Sequence, residues 1–392
     1  MELITEYCTG CKACGDICHK NAITFVPDKE GFHFPEINQE LCVDCKLCQK
    51  QCPQNADSHK PAMQKVFAFT AKDKSLLRKS ASGGAFAVFA KTIIEKRGCV
   101  VGCAYDEELR AKHVLVDNLS DLQKLQGSKY VQSNTAGIYK IVKEKLIDGC
   151  PVLFSGTGCQ IAALKSYLRK DYDNLITIDI ICHGVPSPLL FEKYKDYLAI
   201  KYGGRVIDYD FRNKERFGWT LDAKIITENS SHFVTRRNDP YYRYFVKGSI
   251  YREACYHCNY NNNNRFSDIT IGDYWKILKH HPDFYDKRGV SVIVINSQKG
   301  LEFYNSCKEY FIDVETTFEE AVSGNLNLLK PTKKDAERSH IYDGITSLSP
   351  DAFFKKKFPI SRKQIIEAEA IRWMPAFLRI NLQKILYKIR RS

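Results

Sequence analysis

The sequence lacks the long apolar runs and leader segments that mark membrane and exported proteins. Its longest apolar stretches, such as residues 176–182, are much shorter than the roughly 20 residues that cross a bilayer as a helix. No basic segment followed by an apolar run stands at the N-terminus, so no secretory signal is predicted. We therefore expect a cytoplasmic protein whose sixteen cysteines are kept reduced rather than paired in disulfides.

Two common nucleotide-binding motifs are also missing. No GxGxxG follows a predicted strand and no GxxxxGK[ST] occurs, so neither a Rossmann nor a P-loop domain is indicated. Two other glycine-containing turns, residues 79–84 and 155–160, precede predicted helices. The free N–H groups of a helix start suit a pyrophosphate, although ordinary N-capping by Ser82 and Thr157 explains the same residues.

Half of the cysteines form two copies of one pattern, CxxCxxCxxxC: Cys8, Cys11, Cys14 and Cys18, then Cys42, Cys45, Cys48 and Cys52. At this spacing three cysteines bind one cubane and the fourth ligates the other cluster. The pattern predicts two [4Fe–4S] clusters with crossed ligand sets: Cys8, Cys11, Cys14 and Cys52, and Cys42, Cys45, Cys48 and Cys18. Paired CxxC motifs also bind zinc, but zinc requires neither the third CxxC step nor the crossing cysteine.

The net charge of +13 is unevenly distributed. Residues 1–58 contain nine acidic and five basic side chains, a local charge of −4, so the rest of the chain carries +17. A basic body fits an anionic ligand such as a nucleotide cofactor, and nucleic acid or anionic lipid would fit the charge equally well. No nucleic-acid-binding motif accompanies that charge, so we predict no nucleic-acid partner.

Beyond a polar link near residues 55–61, predicted strands and helices alternate. Helices at 85–96, 135–148, 159–169 and 188–202 separate strands at 100–105, 114–116, 152–154 and 175–182, with a turn expected at 155–158. This alternation predicts an α/β core with a largely parallel sheet. From residue 205 onward mostly strands are predicted (206–211, 221–227, 233–236, 269–274 and 290–295), so the second half is expected to form a mixed sheet.

The other eight cysteines fall into two groups. Cys99, Cys103, Cys150 and Cys307 stand in apolar or helical contexts, where buried structural cysteines are usual. The second group lies at strand ends, at a helix start and in a CxxC: Cys159, Cys182, Cys255 and Cys258. Strand ends and helix starts converge at one edge of an α/β sheet, so these four cysteines could hold a third [4Fe–4S] cluster.

Several short motifs, in this order, resemble the beta subunit family of coenzyme F420 hydrogenase and dehydrogenase over nearly the whole chain. The matching segments are the two cysteine runs and residues 79–84, 127–133, 156–163, 182–187, 255–258 and 267–275. The resemblance implies FAD in the body and a third [4Fe–4S] cluster beside it. Flavin-site candidates by motif match are Lys79, Ser82, Gly83, Gly84, Lys129, Tyr130, Ser133 and Thr157. His183 and Asp273 become the candidate catalytic residues.

The resemblance also implies a domain order. We expect a ferredoxin-like domain at 1–58, a beta-subunit N-terminal α/β region at 62–150, a flavin and iron–sulfur domain at 151–345, and a basic helical region at 346–392. Residues 362–392 carry eight bases against two acids. Ile371, Met374, Leu378, Leu382, Ile385 and Ile389 recur there at helical spacing, which fits a helix packed on the body or one lying on a membrane surface.

Together these features predict a mixed α+β and α/β protein, a two-cluster ferredoxin-like domain followed by a larger mixed-sheet flavin and iron–sulfur domain. The expected function is electron exchange between [4Fe–4S] clusters and FAD, with a redox partner protein or a small-molecule substrate. Some members of the family occur with bacterial surface-polysaccharide synthesis, and the basic C-terminus favours that group. The alternative is a flavin-free polyferredoxin adaptor that docks to a partner enzyme.

Overall fold

A computed structural model describes residues 7–55 and 63–373 of the chain. Its strands are β1 (Ile23–Pro27), β2 (His33–Ile37), β3 (Lys65–Ala71), β4 (Cys99–Tyr105), β5 (Ala111–Val116), β6 (Val152–Thr157), β7 (Leu175–Ile180), β8 (Val206–Asp210), β9 (Asp222–Thr227), β10 (Ser231–Thr235), β11 (Ile269–Asp273), β12 (Ser291–Ile295) and β13 (Phe311–Thr316).

Helices of four to fifteen residues connect and cover these strands. They are α1 (Ala13–Ile17), α2 (Leu47–Lys50), α3 (Lys74–Lys79), α4 (Ala85–Glu95), α5 (Leu119–Leu125), α6 (Ile138–Ile147), α7 (Gly158–Leu168), α8 (Pro188–Tyr202), α9 (Pro240–Lys247), α10 (Glu253–Tyr256), α11 (Ile277–His280), α12 (Gln298–Ser306), α13 (Phe318–Gly324), α14 (Pro350–Lys357) and α15 (Arg362–Trp373).

The N-terminal segment forms the small ferredoxin-like unit that its cysteine pattern predicts. β1 and β2 pair as an antiparallel hairpin. The Asp28 carboxylate holds the turn, because it accepts hydrogen bonds from the N–H groups of Glu30 and Phe32, each at 2.9 Å. Helices α1 and α2 lie in equivalent positions, one in each cysteine run, and they contact each other.

One eight-stranded sheet organises the body, in the order β13-β3-β12-β11-β7-β6-β4-β5. β11, β7, β6 and β4 are parallel neighbours at its centre. The other pairs are antiparallel. The mixed α/β class is therefore confirmed. The expectation of a largely parallel sheet holds only for the four central strands, because β5 returns beside β4 as a hairpin and β3 and β13 add antiparallel edges.

Three details differ from the sequence-based expectations. β3 and β13 were not anticipated, and each supplies a strand of the main sheet. The turn expected at residues 155–158 is wrong, because β6 continues to Thr157 and α7 begins at Gly158. The expected division at residue 150 falls inside the sheet, where β4 pairs with β6 across it.

A second, three-stranded sheet, β10-β9-β8, lies apart from the main sheet. Its inner face and helices α8, α9 and α14 share a core rich in aromatic rings, including Phe191, Tyr194, Tyr209, Phe211 and Tyr241. Aromatic side chains bury large areas and pack edge to face, so this core anchors the loops that approach the main sheet from one side.

Helix α15 ends the described part of the chain at Trp373. The predicted apolar positions from Met374 to Ile389 lie outside the described residues. Within residues 7–55 and 63–373, no helix is both long and apolar enough to cross a membrane.

Candidate iron–sulfur and cofactor site

The two cysteine loops of the N-terminal unit have the same backbone form. The residues on either side of Cys11 have φ angles of 69° and 61°, and those on either side of Cys45 have 48° and 59°. Left-handed residues turn neighbouring N–H groups toward one concave side, which suits an anionic group. The Gly10 N–H accordingly points at Cys8 Sγ, 3.4 Å away. A thiolate-ligated cluster is such an anion, so the backbone fits the predicted ligand.

The first crossed set comes together in the structure. Burial raises the pKa of the Cys11 thiol to about 12, and the neighbouring Cys8 and Cys52 contribute to the rise. Burial also raises the pKa of Cys14, together with the charges of Cys11, Cys8 and Cys52. Cys52 from the second run thus joins the three cysteines of the first. Because buried thiols resist ionisation, a bound metal centre is what would hold them as thiolates.

The second set surrounds a small cavity lined by Cys18, Cys42, Cys45 and Cys48. Burial raises the pKa of Cys48, with further contributions from Cys18 and Cys45. Cys45 is exposed, so this set lies at the protein surface. The structure therefore pairs Cys18 with the second run, as the spacing predicts. We call the first set the proximal set, because body side chains bind its loop, and this one the distal set, because it includes the exposed Cys45.

Several body side chains hold the proximal loop through its carbonyl groups. Thr135 Oγ1 and Tyr139 OH donate to the Cys11 carbonyl at 2.8 and 2.9 Å. Gln132 Nε2 donates to the Thr9 carbonyl at 2.9 Å. Since backbone carbonyls are bound, the ligand side chains stay free to face a cluster, and the proximal set is fixed relative to the main sheet.

The four cysteines proposed for a third cluster are also neighbours. Burial and the charges of Cys255, Cys159 and Cys258 raise the pKa of Cys182 well above its ordinary value. Burial raises the pKa of Cys255 to about 12 and that of Cys258 to about 11. Cys182 follows the end of β7, Cys159 lies in the first turn of α7, and the other two come from α10 and the turn after it. Three distant segments therefore bring four thiols to one edge of the sheet.

This third set adjoins the proximal set, since Cys159 is among the charges that raise the pKa of Cys11. In the described part of the chain, no three Cys, His, Asp or Glu side chains converge on a position suited to a single metal ion. A cubane distributes its four iron atoms over a larger volume than one ion, so its ligands do not have to converge on one point. The donor sets are all thiol, which suits iron–sulfur clusters.

A cavity of about 430 Å³ lies beside the third set. Its wall includes Cys11 from the proximal set, Cys159 and Cys182 from the third set, and the carboxyl ends of the central strands. This volume is within the range of cofactor pockets, and the ends of parallel strands are where open α/β sheets bind ligands.

The cavity wall contains polar groups that need a partner. Thr9 Oγ1, Gln126 Nε2 and Tyr242 OH are buried, line the cavity and have no hydrogen-bond partner in the structure. A buried polar atom without a partner costs about 1–3 kcal/mol. A ligand with several donors and acceptors, such as a flavin, would satisfy them, so the wall fits the predicted cofactor.

Most of the flavin candidates lie in this wall: Ser82, Gly84, Lys129, Tyr130, Ser133 and Thr157. The Lys129 ammonium donates to the carbonyls of Lys124 and Gln126 at 2.9 and 2.7 Å, at the end of α5. Burial lowers the pKa of Lys129. An anionic ligand in the cavity would raise the pKa of Lys129 again. Lys129 is therefore the cationic flavin candidate that lies where it can bind such a ligand.

Two candidates do not line the cavity. Lys79 is exposed, and its ammonium contacts Gln123 Oε1 at 3.3 Å. Gly83 packs against the sheet, where an added Cβ would lie 2.3 Å from the Phe69 carbonyl oxygen. Gly84 does reach the cavity, but its φ of 86° and the adjoining Ala71 also explain why a glycine stands there. The small size of Gly83 thus has a structural cause that is independent of any ligand.

A polar chain in the same wall contains His113, which sequence reasoning missed. His113 Nε2 lies 3.2 Å from the Ser155 carbonyl, and Nδ1 lies 3.1 Å from Ser133 Oγ. Gln160 Nε2 donates to Ser133 Oγ at 2.9 Å. Burial lowers the pKa of His113 to about 4, so the imidazole is neutral: Nε2–H donates to Ser155 and Nδ1 accepts the Ser133 hydroxyl proton. His113 therefore fixes the direction in which Ser133 presents its oxygen.

The two candidate catalytic residues both line the cavity. Burial lowers the pKa of His183, so its imidazole is neutral near pH 7. Burial would raise the pKa of Asp273, but the charge and hydrogen bonds of Arg212 outweigh burial and hold it below its ordinary value. Asp273 is thus an ion-paired carboxylate, and Arg212 is a second cavity residue that the sequence did not reveal.

The remaining cysteines differ in their surroundings. Cys99 and Cys307 are buried, as expected of structural cysteines. Cys150 lies next to Cys99, with 3.7 Å between the two sulfur atoms. Cys103 belongs to the cavity wall.

The fold and the three cysteine sets define an iron–sulfur electron-transfer protein, and comparisons with known proteins identify its domains. Residues 7–56 match the 4Fe-4S dicluster domain. Residues 151–318 match the family model for the C terminus of the coenzyme F420 hydrogenase/dehydrogenase beta subunit. Residues 7–56 are thus similar to a dicluster domain and residues 151–318 to the C-terminal domain of this beta subunit family, which confirms the resemblance seen in the motifs.

Among solved structures, the chain is similar to a chain of the F420-reducing [NiFe] hydrogenase complex from Methanosarcina barkeri. The two are 17% identical, with a TM-score of 0.45 and coverage of 80% of this chain and 95% of that one. No curated protein matches the sequence.

Proposed function

We propose that the chain is a FAD-dependent iron–sulfur oxidoreductase with three [4Fe–4S] clusters. One observation supports this most directly: one cavity is bounded by six of the eight flavin candidates, by Cys159 and Cys182 of the third set, and by Cys11 of the proximal set. A flavin exchanges electron pairs, whereas clusters carry single electrons. A site that adjoins both would connect one-electron transport to two-electron chemistry.

The order of the sites follows from their contacts. The distal set is at the surface, the proximal set is bound to the body, and the third set adjoins both the proximal set and the cavity. Electrons would accordingly enter or leave the chain at the distal set. The redox partner there is a protein, and the substrate at the cavity is a small molecule or the cofactor of a second protein.

The residues of the cavity have distinct proposed roles toward FAD. Lys129 supplies positive charge, while Ser133, held by His113 and Gln160, presents a hydroxyl of fixed direction. Tyr242 OH, Gln126 Nε2 and Thr9 Oγ1 supply polar groups that have no partner within the protein. His183 and Asp273 stay proposed as residues near the reacting centre.

A role in surface-polysaccharide synthesis is a further proposal, and so is contact with a membrane surface through the C-terminal helix. Both rest on the basic run of residues 362–392, which is outside the described residues beyond Trp373. Sedimentation with anionic vesicles, compared between the full chain and a chain ending at Ser361, tests the membrane contact.

FAD binding can be tested with a matched pair of lysine variants. We expect Lys129→Met to weaken FAD binding by about tenfold or more, measured by quenching of flavin fluorescence, because it removes a cation from a cavity wall in which Arg212 is already paired with Asp273. Lys79→Met is the control, because Lys79 is exposed and does not line the cavity. The Lys79→Met variant should bind FAD with the same affinity as the parent. Equal affinity in both variants, with iron content retained, would refute this site for FAD.

A further inference from the structure

Four arginines are buried in the described part of the chain: Arg212, Arg252, Arg265 and Arg338. Three of them form ion pairs with carboxylates, at 2.6 Å for Arg212 with Asp273, 3.2 Å for Arg265 with Asp179, and 2.6 Å for Arg338 with Glu30. Arg252 is the exception, although it is 1% exposed. Among the described residues, no carboxylate lies within 4.0 Å of its guanidinium.

The hydrogen-bond partners of Arg252 are all neutral. Nε donates to the Cys8 carbonyl at 2.5 Å, Nη2 to the His33 carbonyl at 3.0 Å, and Nη1 to Gln132 Oε1 at 3.2 Å. The guanidinium also lies over the Phe34 ring, 4.1 Å from its centroid. Each of its three nitrogen atoms therefore donates a hydrogen bond, while no carboxylate of the described residues compensates its charge.

A buried cation without a countercharge is unfavourable, because it has lost its hydration and gained no opposite charge in return. Proteins tolerate such a charge where an opposite charge is close. A [4Fe–4S] cluster with four thiolate ligands is anionic in both of its usual oxidation states, because the thiolates outweigh the charge of the iron–sulfide core. The position of Arg252 is therefore understandable if anionic clusters lie beside it.

Arg252 is connected to both inner cysteine sets. Its side chain binds the carbonyl of Cys8, which belongs to the proximal set. Its carbonyl accepts the Cys255 N–H at 2.9 Å, and its own N–H donates to the Val185 carbonyl at 2.9 Å, three residues after Cys182. One residue thus joins the proximal loop to two segments of the third set.

We infer that Arg252 is the countercharge for the proximal and third [4Fe–4S] clusters, and that it raises their reduction potentials. Reduction adds one electron to a cluster and makes it more negative, so a fixed cation nearby favours the reduced form. The effect falls with distance, so the surface-exposed distal cluster is affected least. The effect of Arg252 on the third cluster rests on the proposed function, which includes that cluster. The effect of Arg252 on the proximal cluster depends only on the similarity to the dicluster domain.

The test is a redox titration of the full chain, followed by electron paramagnetic resonance of the reduced clusters. A Cys45→Ala variant identifies the distal signal by its absence. Arg252→Gln removes the charge but keeps a hydrogen-bonding side chain. We expect the proximal potential to become more negative by an amount corresponding to about a tenfold change in the reduction equilibrium, which is about 59 mV for one electron. The distal potential should stay unchanged.

Three further variants separate charge from structure. Arg252→Lys keeps the charge, so it should restore most of the parental potential. Arg338→Gln combined with Glu30→Gln also removes a buried arginine that binds the N-terminal unit, but it removes the paired carboxylate as well, so the net charge and the potentials should not change. Gln132→Glu places a carboxylate beside the Arg252 guanidinium and should lower the proximal potential even if Arg252→Gln loses iron.

The outcomes are distinguishable. Unchanged proximal potentials in Arg252→Gln and Gln132→Glu, with iron retained, would overturn the inference. The inference is also overturned if Arg252→Lys shifts the proximal potential as much as Arg252→Gln does. The loss of the arginine structure, and not of its charge, would then explain the shift. A parent that shows only two cluster signals would refute the third cluster and leave the test on the proximal cluster valid.

Discussion

Arg212 holds Asp273 through two hydrogen bonds in the cavity wall, with Nη1 2.6 Å from Oδ2 and Nη2 3.0 Å from Oδ1. Trp219 Nε1 donates to the same carboxylate at 2.5 Å, and the Trp219 and Trp275 rings stack with centroids 5.5 Å apart. The pair connects the loop after β8 to the end of β11. It therefore joins the smaller sheet to the main sheet at the edge of the cavity.

This ion pair is expected to contribute to stability more than to proton transfer. Asp273→Asn leaves Arg212 buried without its countercharge, which should lower the free energy of unfolding by about 3–5 kcal/mol. Glu108→Gln is the control: it removes a surface ion pair with Arg110 and should change stability by no more than about 1 kcal/mol. Chemical denaturation followed by circular dichroism measures both. Similar stability of the two variants would show that the Arg212–Asp273 pair is dispensable.

The third cysteine set can be tested by iron content in the full chain. Cys258→Ser should remove about four iron atoms per chain, because one of four thiolate ligands of a cubane is lost. Cys307→Ser is the matched control, since Cys307 is buried in the core away from the three sets, and its iron content should equal that of the parent. If Cys258→Ser also retains all its iron, Cys258 is not a cluster ligand.

The crossed ligand sets make a prediction about Cys18 and Cys52. Cys52→Ala should remove the cluster whose other ligands are in the first run, and Cys18→Ala should remove the cluster held by the second run. In the Cys45→Ala background, Cys18→Ala should therefore cost no additional iron, while Cys52→Ala should cost about four more atoms. The reverse pattern would mean that each run binds its own fourth ligand.

His113 predicts a dependence of stability on pH. Burial lowers the pKa of His113 from 6.5 to about 4 in the folded protein, so the unfolded chain takes up a proton at a higher pH than the folded one. The free energy of unfolding that depends on neutral His113 is fully present above pH 6.5. It decreases as the pH falls from 6.5 toward 4. At one pH unit below 6.5 the loss is about 1.4 kcal/mol.

The measurement is the melting temperature between about pH 7.5 and 5.5. His113→Asn cannot titrate in this range, so its melting temperature should fall less than that of the parent as the medium is acidified. Parallel curves for parent and variant would show that His113 does not contribute to the acid sensitivity.

The features that the sequence predicted well are local in the chain. The crossed cysteine sets follow from spacings of two and three residues. The four cysteines of the third set could only be proposed, because they come from three separate segments whose convergence depends on the whole sheet. Their spacing alone also fits structural cysteines.

The missed residues act through contacts between distant positions. His113 is 42 residues from Ser155, and Arg212 is 61 residues from Asp273, so no local pattern marks either one. Gly83 shows the opposite error. Its place in a glycine-rich motif suggested a ligand, whereas its small size is required by the neighbouring backbone of β3 and β12.

The central claim is that the chain combines three [4Fe–4S] clusters with one FAD. The most direct measurement is the quantification of iron and flavin in the full chain after anaerobic purification and reconstitution. The account predicts about twelve iron atoms and about one FAD per chain, from three cubanes and one cavity. About eight iron atoms with no bound flavin would contradict it, and would identify the chain as a two-cluster electron carrier instead.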